Sequence, residues 1–459
     1  MKSEATTFLA AQAWVQGTWA SDVLLEVDAS GHWSRVQANT PADQCRCADI
    51  LPGLVLPGVV NAHSHAFQRA IAGLTERRSA AAGSDDFWTW RDRMYTAANR
   101  ISPEQLEIIA TQLYAELLQG GYTQVCEFQY LHNDTGGTPY ADPAEMSLAL
   151  VRAAQRTGMG LTLLPTLYMR SGFTATRLRD DQRRFASTPD SIARIVESVQ
   201  RQTQNDPRIN VGVALHSLRA VPPAALSELA TYAQTKNLPV HIHIAEQTQE
   251  VDDCLIHTGQ RPIEWLLNHA PVDARWNLVH ATHTTPQELA GIAQAGASIV
   301  ICPSTEANLG DGVFDLPGYA AVQGRWSIGS DSHMTRAWTE ELRLLEYSQR
   351  LTLRQRNVAA RALGHNSSAA ALLQAALAGG SGAAGCALGG IAVGQRADFA
   401  LLDGHTAALQ GIPHDYPLDA MVFSTPGNAV TATHVAGKPV PELDFAPFCK
   451  VMQTLWGKA

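Results

Sequence analysis

A chain of 459 residues is too long for one ordinary core, but it suits a barrel of roughly 250 residues or more with an appended second domain. Hydrophobic residues form 45% and charged residues 17%, which excludes a disordered chain, and the formal net charge of −9 argues against nucleic acid or an anionic membrane as the main partner. The seven cysteines form no repeating framework, the start MKSEATTFLAAQAWVQGTW lacks a basic region followed by a long apolar stretch, and no segment offers about 18 uninterrupted apolar residues, so a soluble, reducing, cytoplasmic protein is expected.

In chain order, residues 6–56 hold alternating segments, WVQGTW, DVLLEV and HWSRVQ, that read as short strands. Cys45 and Cys47 form a CxC without a second pair nearby and read as two surface or half-buried thiols. The middle of the chain then alternates apolar runs with helical stretches. The runs are LVLPGVVNAH, YTQVCEF, LTLLPTLY, INVGVALH, PVHIHIAE, WNLVHA, SIVICP and WSIGSD, and SPEQLEIIATQLYAELLQGG, PAALSELATYAQTKN and TPQELAGIAQAG lie among the helices. Strands that are apolar throughout and separated by helices imply a parallel sheet covered on both faces. The units span residues 56–335 and fit a (β/α)8 barrel. An open doubly wound sheet is the runner-up, but no early strand is followed by a GxGxxG turn. Residues 373–385, LQAALAGGSGAAG, read as a junction of small residues, and GGIAVGQRADFALLD, AMVFS and AVTATHVAGKPV within 389–440 read again as short strands. The expected fold is an α/β TIM-type barrel over 57–385. A small flanking β-sandwich domain is expected from both chain ends, 1–56 plus 386–445, followed by a tail over 446–459.

Ionisable residues gather where the apolar runs end, the face on which barrels build active sites. The first run ends in Asn61-Ala62-His63-Ser64-His65, and a period of two points His63 and His65 to one side. The fifth carries His241-Ile242-His243, with His241 a layer deeper and His243 the better ligand candidate. The sixth ends in His280 and the eighth in Asp331. Buried ionisable groups cost several kcal/mol unless paired or coordinated, and one metal ion removes that cost for the whole set. Three imidazoles and one carboxylate, His63, His65, His243 and Asp331, suit zinc with room for water.

These positions, with their HxH–His–His–Asp order and the paired end segments, resemble the amidohydrolase superfamily. His243 followed by Glu246 resembles its mononuclear deaminase branch, where the glutamate transfers protons. The ends of the third and fourth runs, Thr166-Leu167-Tyr168 and Leu215-His216-Ser217, lack a bridging lysine, and Lys236 precedes the fifth. A finer resemblance is to formimidoylglutamate deiminases of bacterial histidine degradation. It is carried by LPGVVNAHSHAFQRAIAGLTERR, FWTWRDRMY, EFQYLH, GVALHSLRAV, HIHIAEQ, CPSTEANLGDG and GSDSHMTRAWTEELRLLEYSQRL. That resemblance implies hydrolytic deamination of N-formimino-L-glutamate, one divalent ion, and a homodimer. Asp331 is then expected to accept a proton, His280 to orient the attacking water, and Glu246 to protonate the departing nitrogen. Gln68, Arg91, Tyr130, His216 and Arg219 are expected to hold the glutamate moiety, with both arginines on loops.

Rival readings are a purine- or cytosine-type deaminase with the same centre, or an inactive binding barrel. His283 and His333 are expected to buttress ligands, whereas His257, His269, His365, His405, His414 and His434 read as solvated or capping residues. Phe87, Trp88, Trp90 and Tyr95 form either a lid or a dimer patch. Cys302 reads as a packed strand-end thiol with no base beside it.

Overall fold

The computed structural model describes residues 6–77, 85–425, 427 and 429–457. Arg78 of the first resembling stretch, and the outermost residues of the 1–56 and 446–459 segments, lie outside the described residues.

The N-terminal segment forms β1 (Thr6–Val15) and β2 (Thr18–Val27) as a tight hairpin, then β3 (Trp33–Gln37) beside β2 and β4 (Asp49–Pro57) parallel to β1. The barrel follows at once as β5 (Val59–Ser64), β6 (Tyr122–Gln129), β7 (Gly160–Leu167), β8 (Ile209–Val211), β9 (Val213–Leu215), β10 (Val240–Ile244), β11 (Trp276–His280), β12 (Ser298–Ile301) and β13 (Arg325–Ile328). β8 and β9 are the two halves of one run, interrupted at Gly212, so the nine segments make the eight staves expected. All neighbours pair in parallel. The staves are buried almost throughout, because helices cover the outer face and side chains fill the inner one.

Closure occurs between the first and last staves. Asp331 N–H donates to His63 O at 3.0 Å and His65 N–H donates to Asp331 O at 3.3 Å, forming a bridge between Ser64 and Asp331. The seam of the barrel is therefore built from the HxH segment and the terminal aspartate.

β14 (Phe399–Leu402), β15 (Val430–Val435) and β16 (Lys438–Pro439) return to the first sheet, giving the order β16-β15-β14-β4-β1-β2-β3. Its alternation serves two cores. Phe399 and Leu401 join Phe8, Val23, Leu25 and Trp33 in a small cluster of their own, while Leu402, Trp14 and Trp19 face the barrel core. His434 belongs to the small cluster, stacked on Phe399 at 4.3 Å, and so is neither solvated nor capping.

Two segments differ from expectation. AMVFS lies in a helix, Pro417–Phe423, where the spacing of buried Leu418, Met421 and Val422 is helical and Pro417 pre-sets the first position. The small-residue stretch 373–385 belongs to the helix Ser368–Ala384, capped by Ser367. Its glycines serve close packing: a Cβ on Gly379 would stand 1.8 Å from Trp326 O, and one on Gly380 2.8 Å from Val60 Cβ. Its last carbonyls enter the barrel's lower layer, where Ala383 O accepts from His241 Nε2 at 3.0 Å and Ala384 O accepts from Asn210 Nδ2 at 2.8 Å. The tail forms a helix, Ala446–Trp456, whose Trp456 indole donates to Ala70 O at 2.8 Å.

Candidate active site

The strand-end residues converge on one cavity at the C-terminal face of the barrel. His65, His243, Glu246, His280 and Asp331 line it together with Gln68, Arg91, Tyr130, His216 and Arg219. His63 lies fully buried beneath. The chain turns sharply as it leaves the staves. Ala245, His280, Ala281, Asp331 and His333 all hold positive φ, a conformation costly for side-chain-bearing residues and concentrated here around the ionisable set. Gly329 leaves the room His63 occupies, since a Cβ there would meet His63 Cβ at 2.6 Å.

His63 Nε2 lies 3.0 Å from His243 Nε2 and 3.4 Å from Asp331 Oδ1, and His65 Nε2 is also 3.4 Å from Asp331 Oδ1. Two groups able to hold a metal ion share His63: one with His65 and Asp331, the other with His243 and His280. The ring of His65 is fixed by its far nitrogen. Phe128 O takes the Nδ1 proton at 2.9 Å, which leaves the Nε2 lone pair free to ligate. His333 buttresses the same residue by donating Nε2–H to His65 O at 3.0 Å, with Nδ1 3.0 Å from Ser330 Oγ.

Burial pushes His63 down to about 3 and holds His65 and His243 below the ordinary imidazole value. Burial disfavours charge on Asp331 too, but the His63 hydrogen bond and the neighbouring imidazoles outweigh it and keep the carboxyl well below its usual range. Neutral imidazoles beside an ionised carboxylate are the protonation states that a divalent cation requires.

Glu246 sits across from this set, with Oε1 3.6 Å from His280 Nε2. Burial, reinforced by the charges of Asp331 and Glu250, raises its carboxyl to about 7 against the opposing pull of His280 and Arg219. His280 is also 3.7 Å from Asp331 Oδ2. On its other side Nδ1 meets Glu306 Oε1 at 3.3 Å. Burial opposes charge on His280, but Glu246, Cys302 and Glu306 overcome it and lift the imidazole above its ordinary value. Cys302 does have a base beside it, contrary to expectation, because adjacent strands β11 and β12 bring it to His280. The same burial pushes its thiol well above the usual range and leaves it inert.

The cavity's opposite wall is cationic. Arg91 lies on the helix Phe87–Ala98, capped by Asp86, and not on an irregular loop as expected. Its guanidinium stands 4.5 Å over Trp88, and that of Arg219 stands 5.6 Å from the same ring. Neither makes a salt bridge among the described residues, and the Nε of each is buried without a partner. Gln68 Nε2 donates to Tyr130 OH at 3.1 Å, leaving Gln68 Oε1 unpartnered. Phe87, Trp90 and Tyr95 line the cavity with these groups. Of the other histidines, His257, His269, His365, His405 and His414 do not line it.

Sequence reasoning missed Glu127 and Glu306. Glu127 is fully buried and accepts Ser64 Oγ at 2.7 Å, Ala66 N–H at 2.5 Å and Tyr114 OH at 3.1 Å, so it grips the chain on both sides of His65. A lone carboxylate inside the apolar run YTQVCEF was the available signal. Phe128, next to it, stacks on His243 at 4.3 Å.

The family model described as "Amidohydrolase family" matches residues 54–440. A Pseudomonas aeruginosa protein named formimidoylglutamate deiminase is 46% identical over 424 residues, covering 92% of this chain and 91% of its own. Among solved structures, an amidohydrolase from Brucella melitensis is 40% identical, covers 98% of this chain and 99% of its own, and superposes with a TM-score of 0.90. An adenosine deaminase from Xanthomonas campestris with bound zinc shares the fold, with a TM-score of 0.79 at 24% identity over 98% of this chain and 97% of its own. The eight-staved barrel, its flanking sheet and these likenesses have one meaning: the chain belongs to the amidohydrolase family.

Proposed function

We propose that the protein holds one divalent ion, zinc by the chemistry of its donors, through His63, His65, His243 and Asp331. We propose further that it hydrolyses N-formimino-L-glutamate to N-formyl-L-glutamate and ammonia. The observation that carries the substrate is the pair of guanidiniums, Arg91 and Arg219, held beside Trp88 in the same cavity with no protein carboxylate bound to either among the described residues. Arg219 is buried with Glu250 and Glu246 near it but not in contact, and Arg91 is half-buried, so an acyclic dicarboxylate would supply each with a hydrogen-bonded carboxylate partner. An aromatic base would leave both without a carboxylate in direct contact. The name of the 46%-identical Pseudomonas relative supports the same substrate.

When bound, the ion supplies Lewis acidity and makes water a nucleophile near neutral pH. The chain's own groups divide the remaining work. Asp331 accepts the proton that water loses on adding to the C=N carbon. His280, held between Glu246 and Glu306, orients the water and donates towards the charge that develops. Glu246, raised to about 7, carries a proton to the nitrogen so that it departs as ammonia while the carbon becomes a carbonyl. Gln68, Tyr130 and His216 line the floor between metal donors and arginines and position the glutamate moiety.

Ammonia release from N-formimino-L-glutamate, measured against guanine, adenosine and cytosine, tests this reading; release from a heterocycle alone would overturn it. Arg219→Ala should raise KM about 100-fold through loss of a charge-assisted hydrogen-bonded pair. An unchanged kcat/KM would remove the carboxylate clamp.

A further inference from the structure

Tyr95, from the helix Phe87–Ala98, and Tyr168, just beyond β7, enter the cavity side by side. Their hydroxyl oxygens lie 3.5 Å apart, and Gln182 Nε2 stands 3.0 Å from each. Gln182 is almost fully buried, and its amide has one possible orientation. Arg179 N–H donates to Gln182 Oε1 at 3.1 Å, so the NH2 end faces the phenols and gives a proton to each oxygen.

A count of protons leaves one over. Both phenolic oxygens accept from Gln182, so neither phenol can return its proton to the amide. One can donate along the 3.5 Å line to the other oxygen, and the second has no acceptor among the described residues. Burial holds the Tyr168 phenol well above its ordinary value, so it remains a donor. Leaving such a donor unmet inside a protein is costly. Its surroundings show what would meet it. The Arg91 guanidinium stands 5.6 Å from the Tyr95 ring, and Arg219 lines the same wall.

We propose that Tyr95 and Tyr168, oriented by Gln182, form a hydrogen-bonding subsite for one carboxylate of the substrate, shared with the guanidinium of Arg91 or Arg219. Gln182 is a positioning residue, since it acts only through the phenols. The identity of the dicarboxylate rests on the deiminase reading, but the subsite's chemistry does not.

The test uses glutarate, which needs no turnover, titrated calorimetrically into the metal-replete protein. Tyr95→Phe/Tyr168→Phe should raise its dissociation constant about tenfold, the worth of one hydrogen bond to a charged group. Gln182→Glu keeps the size but replaces a donor with an acceptor. It should draw both phenolic protons inward and weaken glutarate by a similar factor, with no further loss on top of the double variant. A merely structural role would lower metal content and thermal stability and would not give this non-additivity. In turnover of N-formimino-L-glutamate, KM should rise with the same ratio while kcat changes less than threefold. Glutarate affinity within twofold of wild type in the double variant, or no glutarate binding by wild type, overturns the proposal. Weakened glutarate binding with no ammonia from N-formimino-L-glutamate upholds the subsite and rejects the deiminase reading.

Discussion

His63 Nε2 and His243 Nε2 face each other across 3.0 Å in a site that burial keeps uncharged at both rings. Two neutral imidazoles can share at most one proton along that line, and Asp331 Oδ1 lies 3.4 Å from His63 Nε2 as well. A proton shared along that line satisfies one ring only, whereas a cation meets all the converging lone pairs at once. One equivalent of metal is therefore expected by elemental analysis, and His243→Ala should lose it. Chelation should abolish activity and lower the unfolding temperature, because an ion that binds only the folded chain stabilises it by mass action. Two equivalents held at the barrel mouth would contradict a single-ion centre.

Glu246→Gln separates proton transfer from metal binding. The substitution keeps the shape and leaves all four proposed ligands in place, so metal content should not change while kcat falls about 10²- to 10⁴-fold. Because burial raises the wild-type carboxyl to about 7 and Glu246 must hold the proton it delivers, the alkaline limb of kcat/KM should fall near pH 7, above the ordinary carboxylate range, and disappear in the variant. A variant with full kcat would hand the proton transfer to His280.

The staves and the convergence of His63, His65, His243 and Asp331 were legible because they obey local rules. Each strand is a continuous apolar run, and alternation alone puts His63 and His65 on one side and His241 a layer below His243. Glu306 was not legible, since it acts through His280, which only the β11–β12 pairing and a turn at positive φ bring near. Tertiary context decided the helices as well. The 373–385 stretch has the glycines of a linker, yet they permit a helix to lie against Trp326 and Val60 where a larger residue would not fit. Arg91 was legible as a residue of the cavity wall but not as a helical residue, because the aromatic run around it hides the Asp86 cap.

Glu127 holds the HxH segment from both sides of His65, through Ser64 Oγ and Ala66 N–H. Glu127→Gln turns one accepting oxygen into an NH2 group that opposes a donor, so the segment should loosen without unfolding. Metal dissociation should strengthen about 10- to 100-fold, the usual effect of removing a group that orients ligands, while kcat per bound metal stays near wild type. Competition with a chelating dye measures the first quantity and metal-saturated kinetics the second. Unchanged metal affinity would make Glu127 a packing residue only.

His132 offers a stability prediction remote from the metal donors. Its ring is buried, Nε2–H donates to Thr166 O at 2.8 Å, and burial outweighs that bond and pulls the imidazole down to about 4. In the unfolded chain it titrates at about 6.5. Between those values the unfolded state binds a proton that the folded state refuses. The stabilisation is thus fully present above pH 6.5 and is lost as pH falls towards 4, by up to about 3 kcal/mol at about 1.4 kcal/mol per pH unit. His132→Gln keeps a donor for Thr166 O but cannot titrate. It should be the less stable protein at pH 7, with poorer packing, and the gap should close or reverse by pH 4.5. Urea unfolding at pH 7, 6, 5 and 4.5 measures both slopes, and parallel curves would show that His132 is not a source of acid sensitivity.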